Sequence, residues 1–435
     1  MKRTCHGEAL PRLRIFTMIA LLVVIAIRGV IKSNRRLGFV MDEKMSEKIL
    51  RARKVFEQEY FLEKLNLIYD YRTSLEHEHR FDHLTTPDEI SHCIPNPCGW
   101  TTGMEDAMIN GGVALDMYLD LGDAAWARKI YRGLKRCGTV SGVPGFVVRS
   151  VSPRDGVSFY PESSRDQYTH YVYGLWSYFR SPFATAEEKL EITGLLVDVA
   201  RFCETYVTEE NDWTLPRADF GSPRSSVCKL WHVNPHEAAR LPMFYAAAYA
   251  VSDDIHWLDC CRKYAGPAAA ESMNLRPKSY HSFALMQMLC SCRLLHEVLP
   301  EPALKAQYSE VMKRIDPYFD FNVCRAGTDS YLVDFQAKMT DWRDIFNCTV
   351  MHGCRHVIPC YPEDYSLAAR TVRETGEAVL CSLLQLKPEV NSLRRRVYRF
   401  VLDKFEPETY MPYGGLYLIA AWYKAKKLGI DLAAC

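Results

Sequence analysis

This chain has almost no net charge: 54 basic and 53 acidic residues leave +1. No long basic run occurs beyond the N-terminus, so the electrostatic footprint of a nucleic-acid binder is missing and no such partner is expected. Strand signals are nearly absent too. The best is Gly145-Phe-Val-Val-Arg-Ser-Val151, in a Gly/Pro-rich loop where a short hairpin would fit. Sixteen cysteines are present, yet they lack the tight framework of a disulfide scaffold. Cys260-Cys261 and Cys290-x-Cys292 read as scattered thiols, and Cys93 with Cys98, bracketing Ile-Pro-Asn-Pro, is the best single disulfide pair. His232-Val-Asn-Pro-His236 and His352-Gly-Cys-Arg-His356 each space two imidazoles by four, but neither has a Cys-x-x-Cys half, and Pro235 breaks the first as a helical face. No metal is expected from them. A 34-residue helical repeat is also missing, and no break in composition offers a place to cut the chain.

Nor is there an apolar run of roughly 20 residues, the length that spans a bilayer. The longest, Ile15 to Ile27, has the length of a signal-peptide core and is flanked by Lys2, Arg3, Arg12 and Arg14 before it and by Arg28, Lys32, Arg35 and Arg36 after it. No small-x-small cleavage site follows. Residues 1–36 therefore read as an uncleaved anchor or secretory leader, with membrane anchoring through residues 15–31 and an extracytoplasmic location. Translation from Met41 would remove the leader and leave a cytoplasmic protein. Residues 37–435 read as one domain.

What the chain does have is helical periodicity. Ile49, Val55, Phe56, Tyr60, Phe61, Leu65, Ile68 and Tyr69 recur at helical spacing and predict one long helix from Asp42 to about Arg72. Further helices are predicted near 102–121, 123–137, 165–180, 185–208, 236–251, 253–272, 279–297, 301–326, 363–385, 389–403 and 413–428, with another, or a broken one, in 338–356. Long connections at 138–163, 209–235 and 327–340 alternate with short turns. Helical hairpins with long loops on one face predict an all-α, (α/α)6 toroid; a helical solenoid is the competing architecture.

Two helix starts share a grammar. Ser164 and Gln167 have capping-box spacing, and so do Thr102 and Glu105. Asp166 and Asp106 fall in the first turns, with His170 and Asn110 four residues on along the same faces. Sixty residues separate the two aspartates, about one hairpin with its loops. Consecutive inner helices would then aim both carboxylates into one cavity, the pairing that glycosidic-bond chemistry needs. A helix N-terminus lowers a carboxylate pKa, so a general acid there needs burial or a neighbouring carboxylate to raise it. Around the pair, Trp100 and Tyr168 are candidate stacking groups, and Arg149 and Arg165 candidate anion clamps. Arg217, His232 and His236 are further candidate substrate contacts from the next long loop, followed by Arg240. The 12% aromatic content, with 25 tyrosines, suits a polyhydroxylated ligand. Asp341-Trp342-Arg343, His281, His352 and Tyr410-Met-Pro-Tyr413 complete the circuit.

Gly99-Trp-Thr-Thr-Gly-Met-Glu-Asp106 and Ser163-Ser-Arg-Asp-Gln-Tyr168, on this helix-hairpin plan, resemble the six-hairpin glycosidase superfamily, nearest its unsaturated glucuronyl and rhamnogalacturonyl hydrolases. The resemblance implies an (α/α)6 toroid over roughly residues 43–428, an active site in its funnel and no cofactor. It also implies an oligosaccharide or polysaccharide substrate. Asp166 would protonate the vinyl ether of an unsaturated uronide and help deliver water, with Asp106 as the second carboxylate. A saturated uronide or neutral sugar fits the same residues. A toroid-fold lyase using Tyr168, His170 or His232, and a non-catalytic glycan-binding or membrane-tethered toroid, are the alternatives.

Overall fold

Thirteen α-helices make up the described part of the chain in a computed structural model, which covers residues 43–223, 226–276, 280–345, 365–408 and 415–434. The protein is all-α. The leader, Met41, His352 to His356 and Tyr410 to Tyr413 lie outside the described residues. Among those described, no helix is long and apolar enough to cross a membrane.

The first predicted helix is interrupted. Helix α1 spans residues 43–55, runs into a π-turn at Phe56–Tyr60, and gives way to a two-stranded hairpin, β1 (Phe61–Leu62) and β2 (Leu67–Ile68). Asn66 supplies the left-handed residue of the turn at φ 58°. The apolar positions that read as helical face the core through the hairpin instead: Phe61 packs on Trp126 with ring centroids 5.0 Å apart. The hairpin docks on Gly133, where a side chain's Cβ would stand 1.9 Å from the Asn66 carbonyl oxygen. Helix α2 (Pro87–Ser91) is a single capped turn, closed by a Thr86–Glu89 capping box.

Two series of helices follow. The odd-numbered series comprises α3 (Ala107–Leu121), α5 (Arg165–Arg180), α7 (Arg240–Ser252), α9 (Ser282–Val298), α11 (Tyr365–Leu384) and α13 (Gly415–Lys427). Most residues of α3, α7 and α9 are buried and none is exposed, as for helices enclosed on all sides. Each member packs on the next, and α13 packs back on α3. The even-numbered helices are α4 (Ala124–Thr139), α6 (Ala186–Tyr206), α8 (Ile255–Ser272), α10 (Pro302–Asp329) and α12 (Ser392–Lys404). They bury one face only: α4 lies against α3 and α5, α6 against α5 and α7, α10 against α9 and α11. Helix α1 bridges the last to the first. Arg53 stands over Tyr423 of α13 at 5.8 Å, and Glu57, in the turn continuing α1, accepts a 3.0 Å hydrogen bond from Tyr118 of α3.

Two contacts between neighbouring odd-numbered helices depend on glycine. A Cβ on Gly112 of α3 would stand 2.3 Å from the His170 carbonyl oxygen on α5, and one on Gly376 of α11 would stand 2.4 Å from the Tyr417 carbonyl carbon on α13.

Local hydrogen bonding explains the remaining departures. Residues 145–151 form no strand. Phe146, Val147, Val148 and Val151 are fully buried, and the segment's N–H groups go to neighbouring helices: Val147 donates to the Tyr168 hydroxyl at 3.1 Å and Val148 to the Cys137 carbonyl at 3.0 Å. The expected disulfide between Cys93 and Cys98 is not formed. Cys98 Sγ donates instead to Glu162 Oε2 at 3.0 Å. Of 338–356, only a three-residue 3-10 turn at Trp342–Asp344 lies within the described residues.

Candidate active site

Helix α3 starts at Ala107, five residues after Thr102, because a remote carboxylate takes over its capping. Asp70, 1% exposed, accepts the backbone N–H groups of Glu105 and Asp106 on one oxygen, both at 3.0 Å. Its other oxygen accepts from Asn110 Nδ2 at 2.9 Å. Asp106 is the N-cap residue, and its own side chain makes no capping bond. Glu105 turns back as the capping-box spacing implies, but to the Thr101 N–H. Helix α5 starts where its cap signal predicts: Ser164 Oγ accepts from the Gln167 N–H at 3.4 Å.

The Gln167 side chain then joins the two helix starts. Its Nε2 donates to the Glu105 carbonyl at 2.8 Å and to Asp106 Oδ1 at 3.2 Å, while its Oε1 accepts from the Met108 N–H at 3.2 Å. Buried Arg149 spans the same junction, donating to the Glu105 carbonyl at 3.1 Å and the Ser163 carbonyl at 3.4 Å. Its guanidinium stands 5.8 Å from the ring centre of Trp100, which is exposed.

Each aspartate faces a guanidinium from another helix. Arg240, the first residue of α7, pairs through one terminal nitrogen with Asp166 and donates through the other to Gln287 of α9 at 2.6 Å. Arg373 of α11 lies 3.7 Å from Asp106 and 2.6 Å from Glu377. It also stands over the rings of Phe283 of α9 and Tyr417 of α13, at 5.3 and 5.0 Å. The Tyr417 hydroxyl donates to Asn110 at 3.2 Å. Side chains from all six odd-numbered helices therefore meet in one polar cluster. Gln287, Arg373 and Glu377 reach it from further along their helices, and the others from the first turn or its cap.

The cluster sorts its carboxyls by charge. Burial pushes the Asp166 carboxyl up, but Arg240, Arg165 and Arg149 outweigh it and hold it below its ordinary value. Glu105 goes the other way, pushed up to about 7 by burial and by the Asp106 carboxylate. Asp70 is raised well above its ordinary value by burial, Asp106 and Glu105. Glu377 is raised to about 7 by burial despite its pairing with Arg373. Burial lowers His170 to about 3 and His236 to about 4, so both imidazoles are neutral near pH 7. His170 Nε2, Arg240 Nε, Gln287 Nε2 and Glu377 Oε2 are buried with no hydrogen-bond partner among the described residues. Such groups call for water or ligand hydroxyls.

Other expected contacts are used elsewhere. Tyr168 is fully buried, its hydroxyl bound to the backbone at Gly145 and Val147, so it presents no ring to a sugar. Arg165 pairs with Glu237. Arg217 forms a two-pronged pair with Asp219, at 3.0 and 2.7 Å. His232 is exposed against Trp213 and Trp231, and the His236 ring packs on Tyr280 at 5.3 Å. Four contributors carry no motif of their own in the sequence. Asp70 sits inside a segment with helical periodicity, Gln167 reads as part of its own cap, and Arg373 with Glu377 lies on a helix marked only by its apolar face. A charged pair spaced by four among Val372, Ala378, Val379 and Leu380 is the available clue.

A cavity of about 550 Å³ lies at the other ends of these helices, lined by Asp116, Trp176, Arg180, Arg293 and Lys424 among others. A void of about 20 Å³ beside His170 separates it from the cluster. The sequence matches no protein-family model and no curated protein.

Proposed function

We propose that the protein is a carbohydrate-active hydrolase on a single-domain (α/α)6 toroid, cleaving a glycosidic bond in a uronide-bearing oligosaccharide by carboxylate acid–base catalysis. The helix packing order supports the toroid: six odd-numbered helices contact in sequence and return to the first, with the even-numbered series outside. The observation that carries the function is the junction at Gln167, which draws Asp106 against the first turn of the helix bearing Asp166. Two carboxylates at adjoining helix starts, each matched to a guanidinium, fit a glycosidase pair.

The charge pattern supports a division of roles. Arg240 keeps Asp166 ionised, which suits a group that takes a proton from water or stabilises positive charge at the anomeric carbon. Glu105, held protonated up to about pH 7, suits the acid. Its proton passes to the leaving oxygen as the C–O bond breaks, while water adds to the sugar and gives its own proton to the carboxylate side. Asp106 raises the pKa of Glu105. Arg373 and Arg149 are the anion clamps for a uronate, and Trp100 is the stacking surface at the rim.

Incubation with a panel of saturated and unsaturated uronide oligosaccharides tests this. Hydrolysis yields new reducing ends and consumes the ultraviolet absorbance of an unsaturated substrate. A rise in that absorbance would instead establish a lyase, the reading favoured by neutral His170, whose Nε2 has no hydrogen-bond partner among the described residues. Binding without turnover would establish a non-catalytic glycan receptor. Residues 1–36 would act as leader or anchor for such an extracytoplasmic enzyme.

A further inference from the structure

Away from the central cluster, Glu204 near the end of α6 faces His256 and Cys260, four residues apart on α8. His256 Nε2 lies 2.9 Å from Glu204 Oε1, Cys260 Sγ lies 3.6 Å from Glu204 Oε1, and Cys260 Sγ lies 3.7 Å from His256 Nε2. A tetrahedral zinc-class ion, ~2.3 Å from sulfur and ~2.0–2.1 Å from nitrogen and oxygen, holds its ligand atoms roughly 3.2–3.6 Å apart. The three donors already stand close to those edges, so small side-chain rotations seat an ion among them.

We infer that Glu204, His256 and Cys260 form a binding site for a zinc-class divalent ion, tying α6 to α8 and leaving one coordination position open. The donor set mixes carboxylate, imidazole and thiolate, the chemistry that prefers zinc or cobalt to magnesium or calcium. Three protein ligands with a water in the fourth position is the form of a site that retains reactivity. Entry from solvent is direct, because His256 and Glu204 are exposed. Glu204 and Cys260 also line a cavity of about 200 Å³ with Trp213, Tyr245, Lys263 and Tyr264, where a small ligand would meet the open position.

Without the ion the three groups satisfy one another. Burial, with Glu204, pushes the Cys260 thiol up to about 11, so Sγ–H remains protonated and points to the carboxylate. Binding replaces that S–H bond by a sulfur–metal bond and releases the thiol proton to solvent.

Titration of the whole protein, under reducing conditions, with cobalt(II) and then zinc(II) tests the site. The expected result is a thiolate-to-cobalt charge-transfer band saturating at one equivalent and bleached by zinc. Cys260→Ser abolishes the band, His256→Ala and Glu204→Gln each weaken affinity at least tenfold, and Cys324→Ser, at an exposed thiol on α10, changes nothing. All four positions are at the surface, and circular dichroism confirms that the variants fold. A wild-type protein without the band, or a Cys260→Ser protein that keeps it, overturns the assignment.

Discussion

Arg240 and Asp166 form the pair on which the charge pattern of the cluster turns. Asp166 keeps 27% of its side chain exposed while Arg240 keeps 1%, so the guanidinium depends more on the partnership than the carboxylate does. Removing the arginine charge by Arg240→Met should raise the Asp166 pKa, since burial would then be opposed by Arg165 and Arg149 without Arg240; carboxyl titration by NMR measures it. The native pair contributes stability above the ordinary aspartate pKa of ~3.9 and loses it as pH falls through the lowered folded value. Glu105 has the opposite sign. Its folded pKa of about 7 exceeds that of an unfolded glutamate, so stability falls as pH rises from ~4.3 to 7 and stays reduced above that. Glu105→Gln, which keeps an acceptor for the Thr101 N–H, should therefore stabilise the protein by about 1–3 kcal/mol at pH 8 and by less at pH 5. Urea unfolding at the two pH values checks this; an equal gain at both would contradict the raised pKa. These shifts are visible in sequence only in part: Asp106 adjoins Glu105 and Arg165 adjoins Asp166, but Arg240 and the burial of both carboxyls come from the fold.

Among the elements, helix pairs are set by close approach as much as by hydrophobic stripes. Gly112→Ala pushes a methyl into the His170 carbonyl, and the resulting separation of α3 and α5 should destabilise the protein by about 1–3 kcal/mol. At Gly194, inside α6, a Cβ would meet nothing within 4 Å, so Gly194→Ala should stabilise by about 0.5–1 kcal/mol through helix propensity alone. Thermal or denaturant midpoints of the two variants should move in opposite directions. The periodic segments are legible at this scale: α5 spans Arg165–Arg180, as its cap and aromatic spacing indicate, and α4 through α13 lie within a few residues of their expected positions. The exception is α1. Phe56, Tyr60, Phe61, Leu65 and Ile68 satisfy a helical period, but the same residues also reach the core from a π-turn and a two-residue hairpin. Periodicity alone cannot separate these solutions when tertiary packing against Trp126 and Gly133 decides.

At the level of the whole molecule, α13 packs against α3, and Tyr417 and Arg373 reach the helix start that carries Asp106. The two repeated cap motifs disclose half of that centre: Asp106 and Asp166 are each other's neighbours through Gln167. The other half comes from α7, α9, α11 and α13, which contribute Arg240, Gln287, Arg373 with Glu377, and Tyr417 from within apolar helices, with no local motif. The most direct measurement of the proposed function is turnover of the uronide panel by Glu105→Gln and Asp166→Asn beside the wild type, at matched folding. The acid–base account predicts hydrolysis by the wild type and a loss of ~10²–10⁴-fold in kcat for each variant. Wild-type rates in both variants would contradict it.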